Sequence, residues 1–294
     1  GSRLEYQSHE ILEGPVQPEG MPVIHNEPGG TDGPETGHFR TLRVRLKDPR
    51  GDVAVDLFYV TGDDAPALVR WCRFLNTSGE AVALRDPASA SVDISGGNHD
   101  LVTLAGAWGR ERHVQRQRVS PGKFESASRN GASGHKGSPF LALADAGASE
   151  QAGLVRAMAL AYSGNYRMVC DTDQFGVARV RGGVGGVTVH LVGGAHFDTP
   201  PAVLVCSRDG YSGMSDAFHR FIRRCVVHPR WRNKPRKVLI NSWEAMYFDV
   251  TAERIVELAR RGREIGAELL VLDDGWFSRR RDDTSSLGEW VYNR

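Results

Sequence analysis

The sequence predicts a mixed fold: a large antiparallel β-sandwich, a linking helix, and then a parallel strand–helix–strand unit. Three observations carry this. Short segments that alternate apolar and polar residues recur between turn signals from Arg40 to about Arg208, as in an antiparallel sandwich. Two continuous apolar runs, Val238-Leu239-Ile240 and Leu269-Leu270-Val271-Leu272, flank one amphipathic helical pattern, which describes parallel strands joined by a right-handed crossover. Between these regions lies a helical pattern from Met214 to Cys225, broken by Pro229 and Pro235. From periodicity alone, the parallel unit belongs either to an open doubly wound sheet or to a (β/α)8 barrel.

Each element follows in order. Residues 1–37 read as irregular, because Gly14-Pro15, Pro18, Pro28-Gly29-Gly30 and Gly33-Pro34 interrupt them too often. Leu42, Val44 and Leu46 then alternate with Arg43, Arg45 and Lys47. After the turn Asp48-Pro49-Arg50-Gly51-Asp52 the alternation resumes at Val53, Val55, Leu57 and Tyr59. Leu68 to Leu75 is the next strand, closed by Asn76-Thr77-Ser78-Gly79. Met214, Phe218, Phe221, Ile222 and Cys225 share one helix face. Farther on, Asp249 and Thr251 are candidate N-caps. Ile255, Leu258, Ala259, Gly262 and Ile265 recur at helical spacing, and Gly266 stands where a C-cap glycine belongs. The expected domains are 1–210, a β-sandwich; 211–236, a linking helix and junction; and 237–294, the parallel unit.

Composition narrows the function classes. The chain has 294 residues, 40% hydrophobic and 25% charged, which is ordinary globular composition for roughly two domains. A net charge of +1 gives no electrostatic reason to expect nucleic acid. No apolar run approaches the roughly 18 residues of a spanning helix, so no membrane partner is expected. Cys72, Cys170, Cys206 and Cys225 lie far apart without metal-ligand spacing and read as reduced core or near-core thiols of a cytoplasmic protein. The ten histidines include no HxxH or HExxH pair, so neither a metal nor a cofactor is expected. Gly182-Gly183-Val184-Gly185-Gly186 precedes an alternating strand (Val187, Val189, Leu191) rather than a helix, which argues against a phosphate loop. Arg223-Arg224 and Arg279-Arg280-Arg281 read as solvated surface.

The candidate chemistry sits at strand ends. In parallel α/β folds the carboxyl ends of the strands form the floor of the site. Asn241-Ser242-Trp243-Glu244 follows the first apolar run and Asp273-Asp274-Gly275-Trp276-Phe277 the second, so both fall on one face. Carboxylates accept hydrogen bonds from neighbouring hydroxyls, and an indole covers the apolar face of a pyranose, so the pairing suits a sugar. The bland alternative is an Asp-Asp-Gly turn with Trp243 in the core. Successive strand residues point to opposite faces, so Asp273 and Asp274 serve one ligand only if the backbone bends; Gly275 permits this. Trp276 and Phe277 read as packing, Glu244 as a structural hydrogen-bonding group, Asp282-Asp283 as a loop cap, and His113 beside Arg110-Glu111-Arg112 as surface.

The stretches INSWEAMYFD (240–249) and LVLDDGWFSRRRDDTSSLGEWVYN (270–293) resemble the start of the catalytic barrel in family 36 glycoside hydrolases, the α-galactosidases. Looser matches run upstream in the same order as that family's β-domain: Ala107-Trp-Gly-Arg-Glu-Arg112, Gly137-Ser-Pro-Phe-Leu-Ala-Leu143, Ala161-Tyr-Ser-Gly-Asn165, Asp173-Gln-Phe-Gly176, Thr199-Pro200 and Gly213-Met-Ser215. The resemblance covers nearly the whole chain. It implies a β-supersandwich followed by the first two strands of a (β/α)8 TIM barrel. It implies hydrolysis of terminal non-reducing α-D-galactosyl residues, from sugars like melibiose and raffinose, with retention. Asp273 and Asp274 would bind the hydroxyls on the C4 and C6 side, and Trp243 would wall the pocket. A homo-oligomer, a tetramer, is also implied.

The resemblance places the family's nucleophile, an Asp in a Lys-Trp-Asp-Met-Asn motif, and its acid/base Asp on later strands. No such motif occurs here, so no catalytic residue carries over. Only 58 residues run from Lys237 to Arg294, against about 250 in a closed barrel. The chain is therefore expected to be a fragment, inactive alone. It opens Gly-Ser-Arg-Leu without methionine, so the lack of a signal peptide is uninformative. Two rival readings are a raffinose- or stachyose-synthase-like galactosyl transferase and a non-catalytic carbohydrate-binding module.

Overall fold

The computed structural model describes residues 3–25, 38–63 and 65–292; the segment Pro28–Pro34, read above as irregular, lies outside them. The chain divides into two compact units, Gly1–Arg232 and Asn233–Arg294.

The larger unit is a sandwich of two antiparallel sheets. Its large sheet runs from edge to edge through Glu5–Glu13, Phe39–Lys47, Val53–Gly62, Ala65–Asn76, Ala202–Ser207, Val155–Leu160, Gly137–Asp145, His99–Ala107 and Arg110–Arg118, with His196–Asp198 also paired to Ala65–Asn76. The smaller sheet has the order Ala88–Ile94, Ala178–Val184, Tyr166–Thr172, Gly122–Ser128. A short ribbon pairs Val82–Arg85 with Thr188–Leu191.

Alternation along Gly137–Asp145 shows how the layers form. Leu141 and Leu143 point into the sandwich, against Tyr166, Met168 and Cys170 of the smaller sheet. Ala142 and Ala144 point the other way, into a second core with Val155, Val203 and Val205. That second core is roofed by the helix Gly210–Phe221 through Met214, Ala217 and Phe221. The central strands are thus covered on both faces, leucine on the sheet side and alanine under the helix. Gly182 allows the close approach of the layers, since a Cβ there would lie 2.8 Å from the Met158 sulfur. The helix continues as a π-helical turn over Ile222–Val226, and Ile222 leaves the apolar face while Cys225 stays buried.

The stretch expected to be irregular contains a strand, Glu5–Glu13, paired antiparallel to Phe39–Lys47. It is exposed along its length and has no apolar alternation to betray it. Backbone hydrogen bonds at a sheet edge, rather than burial, define it. Trp71 is buried in the layer above, stacked on Phe58 at 3.9 Å, and its indole N–H donates to the Val16 carbonyl at 3.0 Å. Asp56 is a buried carboxylate bonded by Arg43 and by both nitrogens of the Arg45 fork, at 2.7 to 2.9 Å. Cys72, Cys170 and Cys225 are buried, but Cys206 is exposed, because on its strand it alternates with buried Val205.

The smaller unit pairs Leu239–Asn241 with Leu269–Val271 in parallel. One helical turn, Trp243–Met246, and the helix Ala252–Glu264 connect them. Of the two cap candidates, Thr251 is the N-cap; its hydroxyl accepts from the Arg254 N–H. Gly266, at φ +90°, ends the helix in a Schellman motif, with Gly266 N–H bonded to the Arg263 carbonyl and Ala267 N–H to that of Gly262. Gly262 faces Ile240, where any Cβ would clash at 2.3 Å. Ile265 falls outside the helical face and is exposed, because the chain leaves helical geometry at this C-cap. Among the described residues no helix is long and apolar enough to cross a membrane.

Candidate functional site

The smaller unit brings Asp273, Asp274 and the Trp243 segment to the carboxyl ends of its two parallel strands. Ser242 stitches the ends together. Its side chain is buried, its N–H donates to the Val271 carbonyl at 3.0 Å, and its hydroxyl accepts the Asp273 N–H at 3.0 Å.

Asp273 is held from two sides. Asn241 Nδ2 donates to Asp273 Oδ2 at 2.7 Å, and the Asp274 N–H donates to Asp273 Oδ1 at 2.8 Å. The same Asn241 accepts the Trp243 N–H through Oδ1 at 2.8 Å. One amide therefore sets both the carboxylate and the start of the aromatic turn. Gly275, at φ +92°, bends the chain directly after the second carboxylate, and an added Cβ there would lie 3.2 Å from the Phe248 backbone.

Asp274 meets a group that the sequence reading misplaced. Arg280 was expected to be solvated along with its arginine neighbours; it is buried. Its Nε donates to Asp274 Oδ1 at 3.0 Å and its Nη2 to Oδ2 at 3.1 Å. Nη1 donates to the Ser285 carbonyl at 2.6 Å, and the guanidinium lies 5.5 Å from the centre of the Phe248 ring. The hydrogen bonds to Asp274 hold its pKa above the ordinary arginine value. A run of three like residues hides which one turns inward; the signal that finds it is a carboxylate six positions upstream, beyond a glycine bend.

Trp243 is half-buried and packs edge-on against Tyr247 at 5.2 Å and Phe248 at 4.9 Å. Phe277 is buried between Trp276 and Trp290. Glu244 accepts from the Tyr247 hydroxyl at 3.1 Å. Asp282 caps its loop by accepting from Thr284 N–H and hydroxyl. Among the described residues, no three His, Cys, Asp or Glu side chains converge as a metal site.

In the larger unit a cavity of about 430 Å³ opens between the sheets, and its polar lining is limited to Thr61, Arg156 and Cys206. It offers few groups to orient a sugar. The smaller unit instead presents two fixed carboxylates at a strand end, one of them tied through Asn241 to the start of the Trp243 turn, and such carboxylates can accept hydrogen bonds from vicinal hydroxyls.

Comparison with known proteins agrees across the chain. Residues 1–190 match the family described as Glycosyl hydrolase family 36 N-terminal domain, and residues 196–294 match Melibiase. The chain is 39% identical over 293 residues to Alpha-galactosidase AgaA of Geobacillus stearothermophilus, covering 99% of this chain and 39% of that one. It is 35% identical to Alpha-galactosidase Mel36A of Lactobacillus acidophilus, again covering 39% of the relative's length. The crystal structure of AgaA superposes with a TM-score of 0.91 at 38% identity, over 100% of this chain and 40% of that one. Crystal structures of AgaA variants contain stachyose and raffinose. The chain thus spans about two fifths of the length of these relatives.

Proposed function

Because the chain belongs to glycosyl hydrolase family 36, we propose that the protein carrying it removes terminal non-reducing α-D-galactosyl residues from oligosaccharides such as melibiose and raffinose. The observation that carries this reading is the fixed pair Asp273 and Asp274 at the carboxyl ends of parallel strands, with Asn241 linking Asp273 to the start of the Trp243 turn. The indole covers the apolar face of the ring, and the two carboxylates accept hydrogen bonds from the hydroxyls that distinguish galactose from glucose. A site built to bond a hydroxyl rejects the epimer strongly, since its buried polar groups are otherwise left unpaired. Support for the substrate class comes from relatives named as α-galactosidases and from the stachyose and raffinose complexes of AgaA variants.

The proposed chemistry is a retaining double displacement. One carboxylate attacks the anomeric carbon to form a galactosyl-enzyme, and a second, about 5–5.5 Å away, donates and then takes a proton. Asp273 and Asp274 hold the sugar in this scheme; they do not attack it. Cytoplasmic residence belongs to the same reading, supported by buried thiols at Cys72, Cys170 and Cys225. So does a homo-oligomer, for which the support on this chain is Trp108, 87% exposed beside an edge strand.

The test is turnover of p-nitrophenyl α-galactoside and raffinose by the protein that carries the chain, with the anomer of the first product followed by NMR. Release of α-galactose is expected, with affinity lost in Asp274→Ala. Galactose binding without turnover would favour a binding module, and transfer to an acceptor sugar in place of water a synthase. Unchanged KM and kcat in Asp274→Ala would remove the sugar-binding role.

A further inference from the structure

Resting on that reading of the site, we infer that Arg280 is its positioning residue: the guanidinium fixes the plane in which Asp274 presents its carboxylate to the sugar. The pair is asymmetric. The side chain of Arg280 keeps 6% of its surface and that of Asp274 keeps 23%, so the open side belongs to the carboxylate. The guanidinium engages both oxygens, at 3.0 and 3.1 Å, and a two-pronged contact fixes orientation where a single ammonium contact cannot. Each carboxylate oxygen has two lone pairs and gives one to arginine, so one on each remains for a hydroxyl.

Arg280 is itself locked. The Ser285 carbonyl takes Nη1, and Phe248 lies against the guanidinium. Asp273 is set differently, by the neutral donors Asn241 Nδ2 and the Asp274 N–H. Of the two adjacent carboxylates, the guanidinium is therefore placed on the second alone. Asp282 and Asp283, which also lie in this loop, act on Arg280 through charge, but the guanidinium fork itself is bonded to Asp274, and Asp282 accepts from Thr284. Without Arg280, Asp274 would lose its anchor and feel the unscreened charge of Asp273.

A plain loop staple would explain the same contacts, and the two roles separate in one measurement. A staple changes how much active protein exists, and so lowers apparent kcat. It leaves the inhibition constant of the folded fraction unchanged. A positioning residue raises that constant. The experiment measures Ki for 1-deoxygalactonojirimycin, with kcat and KM for p-nitrophenyl α-galactoside, on the protein that carries the chain. Arg280→Ala is expected to raise Ki by on the order of 10- to 100-fold, the value of a charge-assisted hydrogen bond. Millimolar guanidinium, which refills the vacated site, is expected to restore part of this. Arg280→Lys keeps the charge without the fork, folds more readily, and is expected to recover little of the lost affinity.

Unchanged Ki in the variants, or wild-type Ki in Arg280→Lys, overturns the inference. Asp274→Ala separates this from failure of the functional reading. If Asp274→Ala also leaves Ki unchanged, the sugar site is elsewhere. If it abolishes binding while both Arg280 variants bind normally, the role of Arg280 alone is wrong.

Discussion

Apolar strand runs occur in both units, and within the described residues only the larger unit supplies layers that bury them on both faces. In the larger unit, Leu141, Leu143 and Val155 retain at most 1% of their surface. In the smaller, Val238, Leu239, Leu269 and Leu272 retain 40% to 59%. The residue types are the same. What differs is cover: the first strands lie inside a ten-stranded sheet with a second sheet on one face and a helix on the other, whereas the second form a two-stranded parallel pair with one helix. An apolar run therefore specifies a strand, while the number of neighbours decides its burial.

The largest test of this contrast is truncation. Leu141→Ala should cost about 2–5 kcal/mol in urea unfolding, by lost transfer energy and a cavity between packed sheets. Leu239→Ala, made in the 294-residue chain by itself, truncates a side chain that is 48% exposed there and should cost less than about 1 kcal/mol. Equal costs would mean that Leu239 is buried in solution and that the contrast is wrong.

The thiols sharpen the contrast within the larger unit. Burial pushes Cys72 and Cys225 up to about 11, so at pH 8 they hold almost no thiolate. Cys206 is exposed. One thiol should react with Ellman's reagent in the native protein and the other three only on unfolding. Rapid loss of all four would show that the sandwich opens easily.

In the smaller unit, with little buried area to hold it, local signals carry more weight. Thr251→Ala removes the hydroxyl that accepts the Arg254 N–H and should cost about 1 kcal/mol, visible as lower helix content or a lower midpoint. No change would mean that packing rather than capping holds this helix.

Legibility in the sequence follows the same division. The strands from Phe39 to Asn76 showed through alternation, and Thr251 and Gly266 through cap chemistry, because those signals are local. The Glu5–Glu13 strand did not show, because an exposed edge strand made by backbone pairing leaves no mark on side-chain choice. At the candidate site, the carboxylates and Trp243 stood out by type and by their place after apolar runs. Asn241 and Ser242 were placed on that face without a role, and Arg280 was read as solvated surface, because their roles depend on which groups the chain brings within about 3 Å of one another. Sequence spacing names the groups that meet a ligand more readily than the groups that hold them in place.

The smallest expected effect compares two carboxylates that are both held below their ordinary range. Glu257, on the exposed face of the helix Ala252–Glu264, is lowered to about 2 by hydrogen bonds from Arg260 and Arg261. At Asp56, burial pushes the pKa up, but hydrogen bonds from Arg45 and Arg43 outweigh it, and the net shift is downward. The sign is the same for both. A carboxylate whose folded pKa is depressed stabilises the protein above its unfolded pKa and loses that contribution as pH falls through the folded one. For Glu257 the window runs from 4.5 down to about 2. Salt should separate them. At 1 M the screening length is about 3 Å, so pairs exposed to water are weakened while a carboxylate with 2% side-chain exposure is shielded by protein. In an NMR titration repeated at low and high salt, Glu257 should move toward the ordinary glutamate range while Asp56 stays put. A parallel shift of the two would mean that water reaches Asp56, and that the larger sheet is less closed around it than its packing implies.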